Sequence, residues 1–376
     1  MQNVAQAWLM YRLTESSLML GLAAFFALFP VLILGLWSGV IADHTNRHKL
    51  LIAAHTAGML QASFLAWLTL TGRIEPWHIL ILSAILGVIH ALEMPARHSF
   101  LTDMVDRQDF ANAIALNSSA FNLARFLGPA IAGMLIAKVG EGPIFLLNAI
   151  SFLAVIFCLI LMRLVPSKPI KSNATLITKI KEGLSFAWAT LSIRHSLMLL
   201  SVFSIVGTSL TVLMPVFTKE VFLSGSSTLG LLLGSMGGGA IIAAFLMAYR
   251  SQSRDLGRRI GIAAFISGLC LIVFTLTKSL WIAVPILILA GFCQTLLAAS
   301  TNTLIQLLVP DNMRGRVMSV FSTIFIGFMP IGSLSSGYIA EYLGASLSVL
   351  LYGVCSVVAA IIYLVKKQQW QNQMAL

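Results

Sequence analysis

Charge is what this chain lacks. Only 10% of its 376 residues are Asp, Glu, Lys or Arg, while 58% are hydrophobic; a soluble domain carries about 25% charged and about 45–50% apolar residues. Such a composition excludes a water-soluble fold and defines a polytopic membrane protein. Acidic residues are the scarcer sign, 13 against 24 Lys and Arg, for a net charge of +11. That excess does not point to nucleic acid, because no basic stripe is interleaved with aromatics and the cations sit in short segments between apolar runs. Cysteine is scarce as well: Cys158, Cys270, Cys293 and Cys355 all lie inside apolar runs without Cys-x-x-Cys spacing, which favours packing over disulfides or metal ligation. No metal and no cofactor is expected. The N-terminus has neither a basic n-region nor a small-residue cleavage site, so no cleavable signal peptide is read there. Also absent are His-x-x-x-His, Gly-x-Ser-x-Gly and an intramembrane carboxylate pair, and the Gly237-Gly238-Gly239 run is not followed by Gly-Lys-Ser/Thr. The chain therefore offers neither an ATP site nor enzyme chemistry, and those three glycines suit close helix packing.

What is present is apolar length. Runs near 18–42, 50–71, 77–101, 111–137 and 143–163, then 195–217, 226–249, 260–277, 281–308, 317–340 and 345–365 are each read as a crossing of the ~30 Å hydrocarbon core. Met1 to Leu13 reaches only ~20 Å at 1.5 Å per residue and is expected to be the outer half of a helix whose beginning is missing. The expectation is eleven crossings and one fragment. Between the two sets lies a polar stretch with Pro166, Pro169 and a Lys cluster, so the organisation reads as a first six-helix bundle over 1–163, a linker over 164–194, a second bundle over 195–365 and a tail over 366–376. In the linker, Leu176, Ile177, Ile180, Leu184, Trp188 and Leu191 recur at helical spacing opposite Lys179, Lys181 and Glu182, the pattern of a helix lying on a membrane surface. The halves echo each other weakly: Leu20-Gly21-Leu22 recurs as Leu229-Gly230-Leu231, and Gly128-Pro129 is answered by Pro330 and Gly332.

Assigning alternate loops to opposite sides places eighteen of the 24 Lys and Arg on one side and five on the other, with Arg125 alone inside a span. By the positive-inside rule the rich side, which includes the C-terminal tail, is cytoplasmic.

Three motifs are more specific than hydropathy. Gly39-Val40-Ile41-Ala42-Asp43 followed by Arg47 and Lys49 forms a polar hinge between the second and third spans. Arg125-Phe126-Leu127-Gly128-Pro129 running on to Gly133 combines small residues, which admit a close neighbour, with a proline that bends a helix. Pro310-Asp311-Asn312-Met313-Arg314-Gly315-Arg316 follows the tenth span. Together these resemble the signature loop, the span-5 antiporter motif and the loop after span 10 of the major facilitator superfamily, in its drug:proton antiporter and enterobactin-exporter-like branch. The hinge departs from that pattern at His44 and His48, where the family usually has Arg or Lys, and at Asn46, where it usually has Gly. The resemblance implies an all-α fold of two six-helix bundles, helix 1 here being truncated at its start. It also implies secondary active transport across the cell inner membrane.

Two ionisable residues stand out inside spans, Glu93 and Arg125, where a charge costs at least ~2.5–3.5 kcal/mol. Glu93 is the candidate proton-coupling carboxylate, and Arg125 the candidate contact for an anionic substrate. The bland alternative pairs them with each other or with Asn122 and His90. Gln6, Asn117, Asn148, Gln294 and Asn302 are polar cavity candidates that more often serve helix packing, as Phe25, Phe26, Phe29 and Met214 more often serve apolar packing. Gly39, Asp43, Arg47 and Asp103 are read as a cytoplasmic gate. In it Asp43 meets a helix N-terminus near Arg316 to Ser319, and Arg47 pairs with Asp103 or Asp106. Gly128, Pro129 and Gly133 are the antiporter-type bend. The expected function is proton-coupled efflux of small amphipathic molecules by a monomer whose partners are substrate, protons and lipid. Siderophore export is the alternative, and a non-transporting truncated relic is the alternative of another class.

Overall fold

A computed structural model describes residues 1–104, 109–162, 176–249 and 255–374. Among them the regular elements are helices: α1 (Gln2–Thr14), α2 (Ser17–His44), α3 (Arg47–Leu70), α4 (Pro76–Met104), α5 (Phe110–Val139), α6 (Glu141–Leu161), α7 (Leu176–Ala189), α8 (Leu191–Val216), α9 (Ser226–Tyr249), α10 (Leu256–Leu276), α11 (Leu280–Leu308), α12 (Asp311–Gly327), α13 (Met329–Leu343) and α14 (Ala345–Met374). A π-helical turn, Phe217–Val221, extends α8. Eleven stretches of the described residues are long and apolar enough to cross a membrane, and the shorter α1 precedes them. Hydrogen-bond economy explains the architecture, since a backbone in lipid must satisfy its own polar groups and a helix does so within one segment.

Several boundaries differ from expectation. The hinge is narrower than Gly39 to Lys49: α2 continues through Asp43 to His44, because nothing after Gly39 breaks a helix, and the turn is confined to Thr45 and Asn46. Asn46 caps α3, its side chain accepting from the Lys49 backbone N–H at 3.2 Å, as Asn does well at that position. The segment after the tenth span is not a loop either, for only Pro310 precedes α12 and Asp311 lies in its first turn. The eleventh span is two helices, broken at Phe328 ahead of Pro330. By contrast α5 runs unbroken through Pro129. The expected tail is helical, α14 continuing past Val365 to Met374, with Lys367 held by Asp255 at 2.5 Å.

The two bundles, α1–α6 and α8–α14, meet chiefly along α2 with α13 and α5 with α9. Both contacts are made by glycine on glycine. A Cβ on Gly133 would stand 2.6 Å from the Gly230 Cα and 2.5 Å from the Ser226 carbonyl oxygen. One on Gly21 would stand 2.9 Å from the Gly337 Cα and 2.7 Å from the Ser333 carbonyl oxygen. Without a lipid-excluding hydrophobic drive between helices, such close backbone approach is a principal source of cohesion. Gly21 and Gly230 are the middle residues of the two Leu-Gly-Leu echoes, so the internal repeat is spent on this interface.

Around these contacts the buried side chains fall into three groups. The largest gathers residues from both bundles, among them Leu9, Leu20, Ile136, Leu213 and Leu229, toward the end where α1 turns into α2. The other two lie toward the linker end and are separate: one draws only on α7 and the second bundle, around Leu197, Leu297 and Phe321, the other only on the first, around Leu51, Phe100 and Leu159. Among the described residues, then, the bundles share one core at the α1–α2 end and divide toward the linker end.

A Gly133→Leu chain tests this packing. Overpacking costs about 1–3 kcal/mol, so its melting temperature in detergent should fall by several degrees. Gly128→Ala should match the parent, because the nearest atom to a Cβ there is 3.9 Å away. A Gly133→Leu protein that melts like the parent contradicts the glycine interface.

Candidate functional site

Glu93 and Arg125 do not pair. Glu93 is satisfied on its own helix, 3.3 Å from His90 Nδ1 and 3.5 Å from Arg97; the i−3 and i+4 spacings stack these three side chains along one face of α4. Its carboxylate is 15% exposed, against 47% for His90 and 44% for Arg97, so the acid is the inner member of a string that reaches outward. Arg125 is exposed and has no hydrogen bond or ion pair among the described residues. Its direction follows from its neighbours on α5. Phe126 lies against Gly237 and Gly238 of α9, and the open side of Gly128 faces Met1 at the start of α1. At about 100° per residue, Arg125 falls in the sector between α9 and α1, toward the space between the bundles.

The polar candidates divide cleanly. Gln6 donates to Ser83 Oγ at 2.6 Å. Asn148 donates to the Gln2 side chain at 2.5 Å, Gln2 to Gln61 at 2.9 Å, and Gln61 to the Leu82 carbonyl at 3.1 Å, an amide ladder tying α6, α1, α3 and α4 together. These are packing bonds. Asn117 is exposed, and Asn302 accepts from Gln306 one turn along α11 at 2.5 Å. Gln294 differs: its amide nitrogen is buried without a partner among the described residues, a condition worth about 1–3 kcal/mol to relieve. Met214 is fully buried and Phe25 stacks on Phe29 at 4.8 Å. Cys270 and Cys293 are buried while Cys158 and Cys355 are exposed, and all four are free thiols.

At the linker end, the side chains of Asp43 and Asp103, the surroundings of Gly39 and the whole of Asp106 lie outside the described residues, so the pairing expected of Asp43 and Arg47 does too. One element of that expectation is corrected. Arg316 to Ser319 is not a helix N-terminus, because α12 starts at Asp311 and the N–H groups a turn further on are already bonded within the helix. Arg316 instead ion-pairs with Glu182 of α7, and a Cβ on Gly183 would stand 2.7 Å from the Arg316 carbonyl oxygen. The linker helix is thus seated on α12 by its Gly183 and Ala187 edge, while Leu184 and Trp188 remain exposed as an outward apolar face. His48 also has a structural place, its Nε2 2.6 Å from the Leu159 carbonyl oxygen near the end of α6.

Sequence reasoning missed the opposite end. There Tyr11, Glu15 and Ser16 of the first bundle bond to Lys219, Glu220 and Glu341 of the second. A signal was available: on the side that is poor in Lys and Arg, five carboxylates match the five cations, whereas on the other side cations far outnumber carboxylates.

Two membrane-spanning bundles of helices, with a cation that has no partner among the described residues facing the space between them, are the form of a solute transporter. The comparisons agree. Residues 1–375 match the family described as transmembrane secretion effector, and the chain belongs to that family of major facilitator superfamily transporters. It is 27% identical over 359 residues to the staphyloferrin A transporter of Staphylococcus aureus, covering 95% of this chain and 89% of that protein. With the multidrug efflux pump Tap of Mycolicibacterium fortuitum the identity is 25% over 379 residues, covering 94% and 90%. In fold it resembles an inward-facing, unoccupied bacterial homologue of the human lysosomal transporter Spinster, with a TM-score of 0.73 at 17% identity over 99% of this chain and 95% of that one. The nucleoside transporter NupG gives 0.71 at 14% identity, covering 96% and 94%. The protein is a multi-pass membrane transporter that handles a small-molecule substrate.

The amide ladder yields a prediction. Gln61→Ala strands the Gln2 amide, and should destabilise the first bundle by about 1–3 kcal/mol, read as a lower melting temperature. Asn117→Ala should be neutral. Equal melting of the two variants would remove the ladder from the account.

Proposed function

We propose that this protein is a secondary active exporter of small amphipathic molecules, driven by proton antiport across the cell inner membrane and working as a monomer. The linker end, with the majority of Lys and Arg, and the C-terminus face the cytoplasm by the positive-inside rule. The observation that carries the export reading is Arg125, a guanidinium within a span, directed between the bundles and unmatched by any carboxylate among the described residues. A cation at that depth is costly to keep unless something uses it. Its charge suits an amphipathic molecule with an anionic group, and Gln294 and the Phe25–Phe29 aromatics are the further candidates for contact. Glu93 is the proton carrier in this scheme. His90, 3.3 Å away, stands beside it to pass protons outward. Gly39, Asp43, Arg47 and Asp103 act as the cytoplasmic gate; Pro129 and Gly133 give α5 the surface on which it moves against α9, and Gly128 faces α1.

A siderophore-like anion is the second reading. Unmatched Arg125 favours it, as does the staphyloferrin A transporter among the relatives.

The test is export from energised vesicles. Glu93→Gln should abolish pH-gradient-driven transport while leaving the protein in the membrane. Arg125→Gln should cut transport of anionic substrates by about tenfold or more, the scale of a lost charge-assisted contact, and spare neutral lipophilic drugs. Unchanged pH-dependent export in Glu93→Gln removes it from the mechanism, and equal losses for both substrate classes refute the role given to Arg125. Siderophore secretion restored in an exporter-deficient strain would favour the second reading, and increased resistance to lipophilic antibiotics the first.

A further inference from the structure

At the α1–α2 end the two bundles are joined by side chains as well as by glycines. Lys219 Nζ donates to Glu15 Oε1 at 2.6 Å and stands 5.6 Å over the Tyr11 ring. The Tyr11 hydroxyl donates to Glu220. Glu341 Oε2 accepts from the Ser16 hydroxyl and from the Leu18 backbone N–H, both at 3.0 Å. All of these bonds cross from one bundle to the other.

The backbone is unusual at the same place. Among the described residues only two other than glycine have positive φ, Glu15 at 49° and Leu223 at 48°. Each follows the first helix of its bundle, α1 and the π-helical extension of α8, and each left-handed residue costs about 1–2 kcal/mol. The π turn begins two residues after Pro215, which lacks an N–H and loosens the helical ladder, and it carries both Lys219 and Glu220. Such wide turns concentrate at functional positions. Strained residues persist where their surroundings hold them, and Lys219 holds Glu15.

We infer that Tyr11, Glu15 and Ser16 together with Lys219, Glu220 and Glu341 form the outer gate of the transport cycle, a latch that must break for substrate to leave and re-form for the next turn. The inference rests on the transporter reading and is independent of substrate and coupling ion. The latch is electrostatically lopsided. Three carboxylates face one ammonium, since the nearby Arg12 is engaged by Glu141 through contacts of 2.9 and 3.1 Å. Lys219 is therefore the keystone, and its removal leaves acids of opposite bundles facing one another.

External pH should act on it with a definite sign. The hydrogen bond from Lys219, then its charge, holds the Glu15 carboxyl below its ordinary value in the closed gate. The contribution to closure is fully present above the ordinary carboxylate range and is lost as pH falls through the depressed value. Of the other acids, Glu220 faces the Tyr11 hydroxyl and Glu341 faces Ser16 and the Leu18 N–H, so neither adds a cation. Acid outside loosens the gate.

The experiment uses the full chain in liposomes, with the native cysteines replaced by serine and a reporter, Leu20→Cys, in the sealed core just beneath the latch. An impermeant maleimide is added from outside. Like charges brought face to face oppose closure, so Lys219→Glu or Glu15→Lys alone should raise labelling several-fold, while Lys219→Arg stays at the parental rate. The exchanged pair Glu15→Lys with Lys219→Glu should return labelling to near the parental rate and remove its acid-induced rise from the Glu15 position. Melting temperatures identify any variant that fails to fold, and the exchanged pair and Lys219→Arg then decide. Parental labelling in both single variants, or an exchanged pair no better than the worse single, overturns the gate. Labelling requires no substrate, so its outcome stands apart from that of the export assays.

Discussion

Two backbone contacts, Gly21 on Gly337 and Gly133 on Gly230, decide how the halves of this transporter can sit. Lipid is as apolar as the helix surfaces it would leave, so the bundles gain little by hiding leucine from it. They gain by approaching closely enough for backbone atoms to touch. Each contact joins a helix of one bundle to a helix of the other, and together they occupy equivalent places in the internal repeat. The common core at the α1–α2 end forms around them, while toward the linker end the described cores remain separate. A rocking motion that reverses this arrangement has to part these glycines and, with them, the side-chain bonds of Tyr11, Glu15 and Ser16 to the second bundle.

The few charges of the chain are disposed to suit that motion. At the linker end cations predominate, with α7 held on α12 through Glu182 and Arg316 and α14 held on α10 through Lys367 and Asp255. Burial acts to raise the Asp255 carboxyl, but the Lys367 hydrogen bond, with the Arg258 backbone N–H and the charges of both residues, outweighs it and holds the group below the usual carboxylate range. Both ties lie within the second bundle or between it and the linker helix. At the α1–α2 end acids and cations are balanced, and the bonds of Tyr11, Glu15 and Ser16 run between bundles. Between the two ends Glu93 is matched along its own helix, and Arg125 has no match among the described residues.

The fold was legible because a membrane leaves few options: apolar length gave the crossings, and Lys and Arg gave the two sides. Even the role of glycine was signalled, in Leu20-Gly21-Leu22 and its echo at Gly230, although not which glycine each would meet. Partnership was less legible. Glu93 and Arg125 invited pairing as the charges inside spans, yet helical spacing had already given Glu93 its neighbours at positions 90 and 97. The capping role of Asn46 and the start of α12 at Asp311 were obscured because family patterns read there as loops, whereas local helix capping decides the boundary. The cross-bundle bonds of Tyr11, Glu15 and Lys219 join residues about two hundred positions apart, and no local pattern encodes such a meeting.

Pulsed dipolar distances in a cysteine-free background test the central claim most directly. One spin-label pair, at Arg73 and Lys278, reads across the bundles at the α1–α2 end, and another, at Lys49 and Arg314, reads across them at the linker end; all four residues are exposed. If the glycine contacts seal one end while the other divides, then imposing substrate and a pH gradient lengthens the first distance as it shortens the second. A first distance that stays fixed during turnover, or two distances that move together, would contradict the account.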